Sequence, residues 1–128
     1  MLSAIEIAEA KKRVKYGLGS QSHHEHDDCI RIAYEWLDAQ TTTKGITRVA
    51  RPLKHIIEKW GGRYVSQSDV EVAAELHAKI RGSYPYYNIS KRLTLPSEAR
   101  LANITQARTQ DYKLTPRAIR ETYAAVEA

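Results

Sequence analysis

The apolar positions of this chain recur mostly at helical spacing, and several of the runs carry end signals. Leu53, Ile56, Ile57 and Trp60 follow Pro52 at i, i+3, i+4 and i+7, and Gly61-Gly62 closes the run. That spacing predicts a helix with one buried stripe, with Pro52 at its first position. Ser3-Ala-Ile-Glu6 reads as a capping box, and Ile5, Ala8 and Val14 then share a face up to Gly17. A second helix is expected from a cap at Asp27 or Asp28 to about Gln40, with Ile30, Ala33, Tyr34 and Leu37 on its inner side. Ser66-Gln-Ser-Asp69 has the spelling of another capping box, followed by Val72, Ala73, Leu76 and Ile80 as far as Gly82.

The remaining segments carry weaker signals. Pro85 is expected to start a short helix holding Ile89 and Leu93, and a surface helix is expected over residues 97–109. Thr115 and Pro116 open a last helix with Ile119, Tyr123 and Val126 on one side. Residues 41–51 mix polar, basic and β-branched side chains around Gly45 and are expected to form a basic loop. Residues 18–26 read as an exposed linker. Strand signals are confined to brief patches at 63–65 and 94–95. The expected fold is therefore all-α: one helical bundle of five to six helices over residues 1–128, with a minor β element.

Composition agrees with a chain of this kind. Its 128 residues are 42% hydrophobic and 27% charged, enough for one modest core. No run approaches the roughly 20 apolar residues of a bilayer span, and the charged N-terminal stretch lacks the apolar core of a secretory signal. With a single Cys29 and no signal of export, a reducing cytoplasm is the expected location and the membrane is not an expected partner.

Charge adds the most to this picture. The formal net charge is +5, and the 41–66 stretch alone supplies that excess through Lys44, Arg48, Arg51, Lys54, Lys59 and Arg63 against Glu58. The second helix is acidic, and residues 81–92 are purely basic. Arg48 and Arg51 precede the helix that follows Pro52, where guanidinium groups and free helix amides together suit phosphate oxygens. The alternative is a solvated loop whose cations pair with the acidic second helix.

Residues 68–93 have the outline of a helix-turn-helix, in which the second helix, over 86–93, would enter a major groove. It would present Tyr86, Tyr87, Asn88, Ser90, Lys91 and Arg92, with Asn88, Lys91 and Arg92 placed to read base edges and Tyr87 and Ser90 to hold phosphates. The spelling Ile89-Ser90-Lys91-Arg92-Leu93 is similar in pattern to the ends of such recognition helices.

Other chemistry is thin. His23-His24-Glu25-His26-Asp27-Asp28-Cys29 packs seven metal-binding side-chain types together, but consecutive side chains diverge, and a metal site needs ligands converging from separate elements. No metal and no cofactor is expected. Cys29 lies beside acidic residues that disfavour a thiolate, so it is expected as a small core residue. His55 and His77 adjoin apolar stripes and have no evident catalytic partner. The sequence thus points to a small nucleic-acid-binding protein without catalytic activity, a DNA-binding regulator or accessory factor, using Lys44, Arg48, Arg51, Lys54 and Arg63 together with Tyr87, Asn88, Ser90, Lys91 and Arg92. The competing expectation is an adaptor or inhibitor that meets a protein partner through its acidic helix or exposed tyrosines; homodimerisation is compatible with either.

Overall fold

The structure is a computed structural model, and it describes residues 1–17 and 22–128. Helix α1 (Ala4–Arg13) begins at the first capping box: the Ser3 hydroxyl accepts from the Glu6 amide at 3.1 Å, and the Glu6 carboxylate accepts from the Ser3 amide at 3.0 Å. Its buried face is Ile7 and Ala10, whereas Ile5 is 76% exposed. Two isoleucines two positions apart point to nearly opposite sides of a helix, and the stripe expected through Ile5 is the outer one.

Helix α2 (Asp27–Asp38) is capped by His26, whose Nδ1 accepts from the Asp28 amide at 2.9 Å, so neither aspartate is the cap. Cys29, Ile30, Ile32, Ala33, Trp36 and Leu37 are all fully buried along it. Helix α3 (Leu53–Gly61) carries the expected stripe, with Pro52 as N-cap rather than first residue, and Gly62 ends it at φ 63°. Helix α4 (Gln67–Leu76) starts at the second capping box, where the Ser66 hydroxyl and the Asp69 carboxylate each accept the other residue's amide, at 3.0 and 2.8 Å. It packs along α2 and also meets α1 and α3. Helix α5 (Pro116–Thr122) has Thr115 as its cap, accepting from the Ala118 amide at 3.1 Å.

The chain departs from the all-α expectation in two places. No second helix of a helix-turn-helix forms over residues 86–93. Instead β1 (Gly82–Ser83) and β2 (Tyr86–Tyr87) pair antiparallel, with Gly82 opposite Tyr87, and a cis peptide bond joins Tyr84 to Pro85. Asn88 fastens this hairpin: its side chain accepts from the Arg81 amide at 2.6 Å and donates to the Lys79 carbonyl at 2.9 Å. Downstream, β3 (Thr94–Leu95) forms at one of the expected strand patches and pairs in parallel with β4 (Ala125–Val126), so it is the C-terminal residues that leave the helical course expected for them, and Val126 is 71% exposed.

Over residues 97–109 only a short 3-10 turn forms, Glu98–Leu101. The amides of Arg108 and Gln110 donate to the carbonyls of Gly61 and Gly62 at 2.7 and 3.0 Å, so this segment caps the end of α3 instead of continuing as a helix. The fold is thus mostly helical with two small two-stranded sheets. One hydrophobic core reaches from Ile7 to Tyr123. Its two tryptophans are both satisfied, Trp36 Nε1 donating to the Tyr123 hydroxyl at 2.9 Å and Trp60 Nε1 to the Pro96 carbonyl at 3.2 Å.

Candidate nucleic-acid interface

The two basic segments that the sequence separates are joined by backbone. Residues 41–47 run beside 87–90: the Thr43 and Thr47 amides donate to the Asn88 and Tyr87 carbonyls at 2.8 and 3.0 Å, and the Ser90 amide donates to Thr41 at 2.8 Å. Thr42 and Ile89 face each other in an antiparallel bridge. Side chains add to the seam. Arg81 donates to the Lys44 carbonyl at 2.9 Å, and Arg51 donates to the carbonyls of Lys91 and Thr122 at 3.3 and 3.2 Å. The 41–51 loop is therefore an ordered edge laid along the β1–β2 hairpin.

Ion pairing separates this region from the rest of the molecule. Among the described residues, which include every acidic residue of the chain, no carboxylate lies within ion-pairing distance of Lys44, Arg48, Arg51, Lys79, Arg81, Lys91 or Arg92. Among the described residues, the only other Lys or Arg side chains without such a partner are those of Lys15, Lys59 and Arg120. The acidic helix does not compensate the basic loop: Asp27 faces Lys11, Asp28 binds Arg31 at 2.6 Å, and Glu35 and Asp38 both bind Arg100 at 2.9 Å. Exposed apolar groups stand among the free cations, namely Ile46, Val49 and Tyr86, each a little over 40% exposed.

Several of the expected contact residues are turned inward instead. Arg63 is 6% exposed and donates to Glu25 and Gln106 at 2.9 and 3.2 Å, pinning the segment before α2 to the chain that follows the 3-10 turn. Lys54 is engaged by Glu58 at 2.7 Å and lies 5.0 Å from the centre of the Tyr64 ring. Tyr87 and Asn88 are buried, and Asn88 spends its amide on the hairpin, so neither faces a groove. Ser90 is half-buried, its hydroxyl accepting from the Arg92 amide at 3.1 Å. Lys44, Arg48, Arg51, Lys91 and Arg92 remain together, and Lys79, Arg81 and Tyr86 join them. Lys79 and Arg81 were detectable as members or neighbours of the basic run, and Tyr86 is exposed as expected, though on a hairpin between two inward tyrosines instead of on a helix.

The histidine-rich segment is dispersed among separate partners. His24 is held against α4, its Nδ1 2.7 Å from the fully buried Asp69 and its Nε2 3.0 Å from the Tyr16 hydroxyl, so this part of the expected linker is a fastened strap. Residues 18–21 of that linker lie outside the described residues. His26 caps α2, and burial pushes the Cys29 thiol up to about 11. Among the described residues no group of three or more His, Cys, Asp or Glu side chains is placed to hold a metal ion. His77 donates from Nε2 to Asp38 at 2.8 Å while its Nδ1 accepts from the Lys79 amide at 3.1 Å, and His55 is largely exposed. Among the described residues no helix is long and apolar enough to cross a membrane. Compared with models of protein families, with characterised proteins and with solved structures, the chain has no match.

Proposed function

We propose that the protein binds nucleic acid, with DNA as the first candidate, through the basic face built from residues 44–51 and 79–92. The observation that carries this reading is the set of seven cations left without carboxylate partners, in a protein whose other cations are mostly paired. Unpaired Lys and Arg side chains neutralise phosphates and release counterions, which makes binding favourable and strongly salt-dependent. The mode differs from a helix-turn-helix, because loop and hairpin residues present the charge. The adaptor reading draws no comparable support, since the carboxylates of α2 are occupied by Lys11, Arg31 and Arg100.

The test is fluorescence anisotropy of mixed-sequence DNA between about 50 and 200 mM salt, the range in which phosphate-driven affinity changes most. If all seven cations engage a duplex, the slope of log affinity against log salt approaches about −6. The double variant Arg48→Ala/Arg51→Ala is expected to bind more weakly with a slope shallower by about 2. Arg117→Ala, which removes an exposed charge already paired with Glu121 at 2.8 Å, is expected to leave both unchanged. Absence of binding at the low-salt end by the unaltered protein overturns the proposal.

A further inference from the structure

The basic face has a place for a base as well as places for phosphates. We infer that Tyr86 and the hollow beside it form a stacking platform for the bases of single-stranded nucleic acid, an inference that rests on the nucleic-acid reading above. Three tyrosines crowd the hairpin, and two are committed elsewhere. The Tyr84 hydroxyl accepts from the Lys54 amide at 3.0 Å, and Tyr87 is buried. Tyr86 alone keeps an open ring, 42% exposed, and it borders a shallow hollow lined by Gly45, Ile46, Thr47 and Arg48.

Gly45 borders open space, a Cβ added there meeting no atom within 4 Å. Ile46 supplies an exposed apolar wall, and Arg48 a cation free of carboxylates. An aromatic face, an apolar wall and an unpaired guanidinium are the ingredients with which proteins hold an unpaired base and the phosphate beside it.

Backbone geometry argues for the single strand over the duplex. From the end of α2 to Pro52, and from His77 to Ser97, the chain contains no helix, so this face offers none to a major groove. The hairpin strands are two residues each, too short for a ribbon that follows a groove. A duplex also keeps its base faces stacked on one another, whereas a single strand offers them to a ring.

The experiment compares three fluorescein-labelled probes of 20 nucleotides at about 50 mM salt: a mixed-sequence single strand, its duplex, and an abasic strand with the same number of phosphates. The unaltered protein is expected to bind the single strand about tenfold tighter than the abasic strand. Tyr86→Ala should weaken the single strand about tenfold and leave the abasic strand and duplex within about twofold, while Tyr86→Trp restores the loss. A thermal melt of Tyr86→Ala that matches the unaltered protein confirms that folding is intact, as the ring's exposure leads one to expect. Equal binding of single and abasic strands, or a Tyr86→Ala loss that is the same on all three probes, overturns the stacking inference and leaves the nucleic-acid reading standing. No binding of any probe by the unaltered protein overturns both.

Discussion

Asn88 shows how far a residue's type can mislead about its task. Beside Lys91 and Arg92 it looks like a reader of base edges, yet its amide bridges Arg81 and Lys79 from a buried position. Removing that bridge leaves the partly buried Arg81 amide and Lys79 carbonyl without this partner, which costs about 1–3 kcal/mol. Asn88→Ala is accordingly expected to lower stability by about 2 kcal/mol in urea unfolding. Its effect on DNA affinity, measured well below the melting temperature, should not depend on which base is varied. Arg63 follows the same logic: a positive residue in a basic stretch is claimed by Glu25, which its guanidinium in turn holds below the ordinary carboxylate range by hydrogen bonding. Sequence supplies the charge of each side chain, but the direction in which it points is decided by partners 38 and 43 positions away.

Elements with their own end signals were the legible part of the fold. Ser3, Ser66 and Thr115 each cap the helix their spelling announces, and Gly62 stops α3 in the left-handed region. Segments 86–93 and 97–109 were not legible, because they are settled by contacts from elsewhere: the seam to residues 41–47 in one case, the carbonyls of Gly61 and Gly62 in the other. Candidate cations were legible as a basic run, but the seam that gathers them pairs residues about 40 to 50 positions apart. The hairpin has one position that tests its importance. Gly82 sits at φ 124°, where a Cβ would also collide with the Tyr86 carbonyl oxygen. Gly82→Ala is expected to open β1–β2, seen as faster hydrogen exchange at the Thr47 and Asn88 amides, and to reduce DNA affinity while the α2–α4 core stays folded.

At the scale of the whole molecule, the largest ionic assembly among the described residues is the one around Arg100. Its guanidinium donates to Glu35 and Asp38 of α2, each at 2.9 Å, and to Glu127 just beyond β4 at 2.6 Å. It therefore ties the 3-10 turn to the first half of the chain and to the C-terminal strand. The Arg100 hydrogen bonds hold Glu127 below its ordinary range. For Asp38, burial acts in the opposite direction, but the Arg100 and His77 hydrogen bonds prevail and its value is also lowered. A carboxyl whose folded value lies below its unfolded one stabilises the fold fully above the unfolded value, near 4.5 for Glu127 and 3.8 for Asp38, and loses that contribution as pH falls through the folded one. The melting temperature is thus expected to be nearly level from about pH 7 to 5 and to fall below about pH 4. Arg100→Ala should lower it at pH 7 and shrink the acid-side fall, since the variant has less of the linkage to lose.

The segregation of paired from unpaired cations also governs how the protein meets other bodies before contact. Most of the cations elsewhere are balanced by short-range partners while those of the 44–51 and 79–92 segments are not, so the molecule has a permanent electric dipole as well as a net charge. In the field of any anionic surface it rotates as it diffuses, and encounters are biased toward one orientation. Cation-exchange chromatography reads this directly: Arg48→Ala/Arg51→Ala and Lys113→Ala/Arg117→Ala remove the same formal charge, yet the first pair is expected to elute at clearly lower salt. Equal retention would mean that the resin senses net charge alone and that the tumbling protein arrives with no preferred side.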